Sequence, residues 1–345
     1  MKKVWLMVFI LLLAGCGKSV PATVEEVPLP EEEPVKSVIV SCAGDCTLGT
    51  DVAFGGMTLP EEVFARNGDY GWFFRNVLPI FEKDDLTIVN LEGTFTTRGT
   101  RKEKTYAFRG SPEYTNILIT GGVDAVTLAN NHSRDYGDVS LDDTKEALDM
   151  VGIWWAENRN TFVKEINGIK VGVIGLDDIT GSALPLVPET IGKVKEDGAE
   201  LIVVQVHWGI EKEAIPTARQ VEIAHTAIDM GADMVIGHHP HVLQGIEEYK
   251  GKMIVYSLGN FCFGGNQNPE DKDAMIFQQT FTFENGEILP DAKWQVYPCR
   301  ISSETGRNNY QPTPVFGKEG EAVRRKIQER TNAVCNLTVN FATEE

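Results

Sequence analysis

Five short apolar runs in this chain each end in a polar group, and segments of helical period lie between them. Residues 37–43 (SVIVSCA) run into Gly44-Asp45, and residues 86–90 (LTIVN) into Leu91-Glu92. Residues 124–129 (DAVTLA) run into Asn130-Asn131-His132, residues 201–206 (LIVVQV) into His207-Trp208-Gly209, and residues 233–236 (DMVI) into Gly237-His238-His239-Pro240-His241. Short, nearly continuous apolar runs read as strands buried on both faces. Strands that alternate with helices predict βαβ units and parallel pairing. If the five strands are parallel neighbours, their polar endings collect along one edge of the sheet, where α/β folds bind ligands.

The rest of the chain fits that frame. Helical spacing marks residues 72–81, residues 140–151 with Ser140 as cap, residues 217–230 ending at Gly231, and residues 319–330. Pro112 opens a short helix that reaches residue 120. Residues 161–176 read as two strands about Asn167-Gly168, a strong hairpin turn. Residues 246–301 read as hairpins with turns at Lys250-Gly251 and Asn285-Gly286. The first two thirds are therefore βαβ-like and the last third largely antiparallel. Two sheets packed together with helices outside accommodate both.

Residues 1–15 read as a targeting segment rather than as fold. Lys2-Lys3 precedes an apolar stretch too short to span a membrane as a helix, and Leu13-Ala14-Gly15-Cys16 resembles the bacterial lipobox. Cys16 is then the expected lipidation site, with anchoring on the extracytoplasmic face of the cell membrane. Residues 16–36, rich in Pro and Glu, read as a tether, and residues 37–345 as a single main domain. Loss of two lysines with the leader takes the formal charge from −18 to −20. Such acidity argues against nucleic acid as a partner. With Cys16 acylated, Cys42, Cys46, Cys262, Cys299 and Cys335 remain, an odd number without zinc-ribbon spacing. Cys42 and Cys299 read as small buried residues, and a Cys46–Cys262 bridge cannot be argued from sequence.

The chain holds six histidines, and five of them (His132, His207, His238, His239 and His241) follow apolar runs. The sixth, His225, falls inside a helix. Imidazole is the commonest metal ligand. Joined by Asp45, Glu92 and Asn131, these residues form a mixed nitrogen and oxygen set suited to Zn, Mn or Fe rather than Ca.

The motifs follow in the order Gly44-Asp45, Asn90-Leu91-Glu92, Phe108-Arg109-Gly110-Ser111-Pro112, Asn130-Asn131-His132 with Asp135-Tyr136-Gly137, His207-Trp208-Gly209, Gly237-His238-His239-Pro240-His241 and Tyr256-Ser257-Leu258-Gly259-Asn260-Phe261. This order resembles the CapA family of poly-γ-glutamate capsule synthesis proteins. The calcineurin-like metallophosphoesterases resemble it more distantly. The resemblance implies a four-layer α/β/β/α sandwich and a centre for one or two divalent metals. It implies that Asp45 and His241 hold one metal, that Glu92 bridges, and that Asn131, His207 and His239 hold the second. His132, oriented by Asp135, would be general acid or transition-state stabiliser.

The chain departs from the phosphoesterase pattern. Those enzymes carry Asp-x-His in the first motif, where this chain has Asp45-Cys46-Thr47, and they bridge with Asp where this chain has Glu92. One metal, or none, is compatible with that change, and a phosphomonoesterase is disfavoured. His238 matches no ligand position. Arg109 reads equally as an anion clamp for substrate or as a surface ion pair. Asn260 is expected at the same edge as a substrate contact. Two functions follow. One is a metal-dependent hydrolase or transferase acting on poly-γ-glutamate or another anionic envelope polymer. The other is a non-catalytic binding or export component working with other capsule synthase subunits.

Overall fold

A computed structural model describes residues 35–290 and 293–344. The leader, Cys16 and the tether lie outside the described residues. The chain forms two large sheets. The first runs in the order Thr313–Pro314, Lys293–Arg300, Asp273–Glu284, Lys36–Thr47, Leu86–Leu91, Ala125–Thr127 and Trp154–Ala156. The second runs Ile246–Tyr249, Lys252–Val255, Met234–His238, Leu201–His207, Ile169–Asp177 and Phe162–Ile166. In each, the strands that carry the motifs pair in parallel.

Side-chain alternation along these strands builds the layers. Val38, Val40 and Cys42 face inward with Ile88 and meet Val171, Val203 and Met234 of the other sheet. On the outer face of the first sheet, Ala43, Val89 and Val126 pack against Phe73, Phe74, Ile117, Leu118 and Leu148. On the outer face of the second, Ile174, Val204 and Val235 meet Val187 and Ile191 of helix Ala183–Glu196 and Ile223 and Ala227 of helix Ala218–Met230. Helices thus cover both outer faces, which is the α/β/β/α sandwich expected. Each buried Val, Ile or Leu contributes about 1.5–3 kcal/mol of transfer free energy, so the two-sided sheets hold much of the stabilisation. Helix Gly317–Asn332 adds Val323 and Ile327 to the inter-sheet core.

The local signals mostly land where the residues predict. Asn167 and Gly168 take φ of 52° and 73°, closing the hairpin of Phe162–Ile166 and Ile169–Asp177. Gly231 caps its helix at φ 109°. Four readings change. The motif strands divide between two sheets, three in one and two in the other, rather than lining the edge of one sheet. Helix Asp138–Val151 starts before Ser140, whose hydroxyl donates to the carbonyl of Gly137 instead of capping. Residues 72–81 form no continuous helix but hold the last residue of the single turn Tyr70–Trp72 and the four-residue helix Leu78–Phe81. Lys252–Val255 and Asn260–Phe263 pair in parallel with earlier strands, so the last third is not uniformly antiparallel. Helix Ala183–Glu196 contains Pro188, a local signal against a helix that tertiary packing of Val187 and Ile191 overrides.

Candidate metal centre

Parallel strands carry their carboxyl ends to one side, and here the two sheets present those ends to each other. The first strand delivers Asp45, in register with Asn90 and Asn260. Glu92 follows the second strand directly. His207 and His238 sit opposite each other at the end of the other sheet. The first strand reaches this position through a register shift at Gly44, where a Cβ would lie 2.0 Å from the carbonyl oxygen of Gly259. Glycine is required there because the strand Asn260–Phe263 comes so close.

Three donor clusters result. Asp45, Glu92 and His241 form one, and Glu92, His207 and His239 form another; in each, one donor atom per residue lies within 4.8 Å of the others. Glu92 belongs to both. Its Oε1 is 3.7 Å from Nε2 of His207, 3.7 Å from Nε2 of His241 and 3.9 Å from Nε2 of His132. A third cluster joins Glu211 to His239 and His241. Asn131 meets the second cluster through Oδ1, 2.9 Å from His207 Nε2. The residues expected on two metals are therefore brought together in two adjoining groups about one carboxylate.

The donors fit a cation. Both oxygens of Glu92 and Nδ1 of His239 are buried without a hydrogen-bond partner. Buried polar atoms left unpaired cost about 1–3 kcal/mol each, and more when charged, and a divalent ion is the partner such a set would satisfy. Burial drives the Glu92 carboxyl up to about 8, helped by the charge of Asp45. Burial holds His207 well below the ordinary imidazole value, and His239 at about 4. Both rings are thus neutral, the form that ligates metal. Burial also opposes protonation of His241, but Glu92 and Asp45 outweigh it and raise that ring to about 10. His239 and His241 have φ of 96° and 57°. Two non-glycine residues in this region within three positions carry a strain that clusters at functional sites.

A shell of amides holds the donors. Asn90 Nδ2 donates to Asp45 Oδ1 at 2.8 Å and lies 3.3 Å from His207 Nδ1, while Asn130 Nδ2 donates to Asn90 Oδ1 at 3.0 Å. His238 joins none of the clusters. Its Nε2 meets Gln205 Oε1 at 2.7 Å and its Nδ1 lies 3.3 Å from Asp45 Oδ1, which gives the ring a polar place behind Asp45. Asn260, expected as a substrate contact, holds His241: its Oδ1 is 2.9 Å from His241 Nδ1 and its Nδ2 donates to the His241 carbonyl. Thr47 is buried, and its hydroxyl has no partner.

His132 lies at the other side of Glu92. Its Nδ1 is 2.7 Å from Asp135 Oδ2, and Phe108 packs on its ring at 4.5 Å. The backbone N–H of Phe108 donates to the same oxygen of Asp135 at 2.6 Å. Lys104, which sequence reasoning missed, completes this corner: Nζ is 2.8 Å from Asp135 Oδ1, 3.2 Å from His132 Nδ1 and 2.9 Å from the Asn131 carbonyl. Burial lowers the His132 pKa, and Lys104 adds to the effect while Asp135 opposes it. Arg109 stands apart from the clusters, its guanidinium 4.2 Å from the centre of the Tyr136 ring. Among the described residues no carboxylate pairs with it, so the surface ion pair is not what forms. Asn90 stood in the motif Asn90-Leu91-Glu92 without a role of its own, and Gln205 and Glu211 were missed; of those two, Glu211, two residues past His207-Trp208-Gly209, carried a positional signal.

The five cysteines of the described residues are free thiols, with Cys42, Cys46, Cys262 and Cys299 buried. Trp208 is buried and donates from Nε1 to the Tyr256 carbonyl, and Phe261 packs among core rings, so both serve packing.

Comparison with known proteins agrees with the motif order. The PGA biosynthesis protein CapA of Bacillus subtilis (strain 168) is 34% identical over 266 residues, covering 70% of this chain and 67% of that protein. The capsule biosynthesis protein CapA of Bacillus anthracis is 30% identical over 285 residues, covering 74% of this chain and 66% of that one. The matched segment thus spans about two thirds of each relative. The crystal structure of the calcineurin-like phosphoesterase YfkN from Bacillus subtilis superposes with a TM-score of 0.47 at 18% identity, over 87% of this chain and 98% of that one. The family model for the bacterial capsule synthesis protein PGA_cap matches residues 40–265, a span that opens four residues before Gly44-Asp45 and closes after Asn260. Every donor described above falls inside it, and the chain belongs to the PGA_cap family of bacterial capsule synthesis proteins.

Proposed function

We propose that this chain is a lipid-anchored, metal-dependent hydrolase or transferase acting in the biosynthesis of poly-γ-glutamate or a related anionic envelope polymer. The names of its relatives support the pathway. The observation that carries the chemistry is Glu92: a fully buried carboxylate, unpartnered at both oxygens and shared by two donor clusters. Asp45, Glu92 and His241 would hold one ion, and Glu92, His207, His239 and Asn131 a second. Mn, Zn and Fe suit this donor set. A divalent cation there would supply Lewis acidity and stabilise developing negative charge.

The chain's own residues would then handle the proton. Asp135 fixes the His132 ring through Nδ1, so Nε2 is the atom turned toward Glu92 and the reacting groups. Lowered in pKa by burial, the neutral ring would accept at Nε2 the proton of the attacking water or hydroxyl and pass it to the leaving group. Arg109, with no carboxylate partner among the described residues, is the proposed clamp for a substrate carboxylate. Attachment through Cys16 would keep the site at the outer face of the membrane, beside the other subunits of a capsule synthase.

Two measurements on the full chain test this. Elemental analysis of the purified protein should find about one to two equivalents of divalent metal. Glu92→Gln and His132→Ala should each abolish cleavage or transfer of poly-γ-glutamate while leaving the circular dichroism spectrum unchanged. Normal polymer handling by both variants would defeat the catalytic reading. The second reading is a non-catalytic component that binds or exports polymer. Thr47 favours it, because a buried hydroxyl without a partner stands where a ligand imidazole is expected. Retention of Cys16→Ala in the membrane fraction would overturn the anchor.

A further inference from the structure

Glu211 has no role in the motifs that define the site, yet it lies over the histidine loop. A carboxylate oxygen of Glu211 and ring nitrogens of His239 and His241 fall within 4.8 Å of one another. These two histidines belong to different donor clusters, one with Asp45 and Glu92, the other with Glu92 and His207. Glu92 spans the clusters from the buried side, and Glu211 is exposed. The two carboxylates therefore bracket the histidines from inside and from solvent.

A second set of contacts fixes that placement. The backbone N–H of Lys212 donates to the Pro240 carbonyl at 2.8 Å, with Lys212 held at φ 65°. Trp208 N–H donates to the His238 carbonyl at 3.1 Å, and Gln244 Nε2 donates to the Glu213 carbonyl at 2.9 Å. The loop after His207 is thus tied to the loop after Met234–His238 on either side of Glu211. Among the described residues no cation or hydrogen-bond donor pairs with the Glu211 side chain. Its carboxylate instead faces the two histidines. Nδ1 of His239 is buried and without a hydrogen-bond partner, and an unpaired buried nitrogen of that kind is a donor that a shared cation would satisfy.

We propose that Glu211 is a ligand of the metal centre, supplying a carboxylate from the solvent side that offsets the histidine lost at Thr47. The inference rests on the metal-centre reading above. It raises the protein donors available beside Asp45, Glu92 and His241 from three to four, and it makes that position richer in oxygen. Oxygen-rich sets suit Mn(II).

Titration of the metal-stripped full chain with Mn(II) alone, read as free Mn(II) by electron paramagnetic resonance, tests it. Glu211→Gln should weaken Mn(II) binding by about tenfold or more, while Glu213→Gln, an exposed neighbour outside the clusters, should bind like the parent. Because Glu211 is exposed, both variants should keep the parent's circular dichroism spectrum. Mn(II) affinity of Glu211→Gln within twofold of the parent would overturn the inference and leave the metal centre standing. Absence of Mn(II) binding in the parent would instead overturn the metal-centre reading, and this inference with it.

Discussion

Asn131 Oδ1 lies 2.9 Å from Nε2 of His207, and the two residues come from different sheets. Asn131 follows Ala125–Thr127 in the first sheet, and His207 ends Leu201–His207 in the second. The contact shows how the centre is made. Neither sheet holds a complete donor set, and the inter-sheet core built by Val40, Ile88, Val171 and Val203 sets the distance between the halves. The geometry of the donor set therefore depends on packing of that core.

Glu92→Gln separates binding from folding. In the metal-free protein the Glu92 carboxyl, pushed up to about 8 by burial, is largely protonated at neutral pH. Gln mimics that form in shape and charge, so the metal-free variant should melt within a few degrees of the parent at pH 7. A ligand present at about 100 times its Kd stabilises the native state by about 2.7 kcal/mol. Thermal scans with and without Mn(II) should show a rise in Tm for the parent and none for the variant. An equal rise in both would exclude Glu92 as a ligand.

Lys104→Met addresses the His132 corner. The ammonium sits 3.2 Å from His132 Nδ1 and 2.8 Å from Asp135 Oδ1, and it disfavours a charged ring. Its removal leaves Asp135 free to stabilise the imidazolium, so the His132 pKa should rise. The Cε1 proton of His132, followed by NMR across pH in the metal-free protein, should titrate at higher pH in the variant. An unchanged midpoint would show that Lys104 does not tune the ring.

Asp84→Asn probes the far end of the same strand. Asp84 precedes Leu86–Leu91, accepts from Thr87 Oγ1 at 2.8 Å, and is pushed up to about 7 by burial, with the charges of Asp124 and Asp85 adding to the effect. A carboxyl raised in the native state binds a proton that the unfolded chain has already released. The stability it contributes is fully present below about pH 4 and is lost as pH rises through 7. Asn cannot lose it. The stability gap between variant and parent should therefore widen in the variant's favour from pH 4 to 7 and then level off. At about 1.4 kcal/mol per unit, the gain is bounded by about 4 kcal/mol. Urea denaturation at pH 5 and pH 8 measures it, and a gap independent of pH would remove burial of the charge as its cause.

Legibility in the sequence followed chain locality. Polar groups at the ends of apolar runs could be read directly, because a strand determines where its own last residue points. The hairpin at Asn167-Gly168 and the cap at Gly231 were equally local. Gly44-Asp45 was legible as the polar end of the first run, but only the approach of Gly259 from residues far along the chain shows why Gly44 is needed. Lys104 is hidden for the same reason: it lies in a basic loop with no periodicity, and its role exists only once that loop folds over Asp135. Asn260 was placed at the right edge, but its pairing with His241 could not be read from either residue alone. The division of the five strands between two sheets was invisible, since runs buried on both faces look alike whichever sheet receives them.

Gly44→Ala tests that close approach, and through it the placement of Asp45. The added methyl carbon would sit 2.0 Å from the Gly259 carbonyl oxygen and 2.9 Å from its carbon, both backbone atoms that no rotamer change can move aside. The Asp45 N–H donates to that same carbonyl at 3.0 Å, so a shift that relieves the clash also displaces the carboxylate. Overpacking of this kind costs about 1–3 kcal/mol, and the variant should lose stability in urea by about that amount. It should also bind Mn(II) more weakly than the parent, because Asp45 moves relative to His241, now 3.1 Å away. A variant that is less stable but binds Mn(II) with unchanged affinity would mean that the strand shifts as a unit and that Asp45 is positioned from its other side, by Asn90.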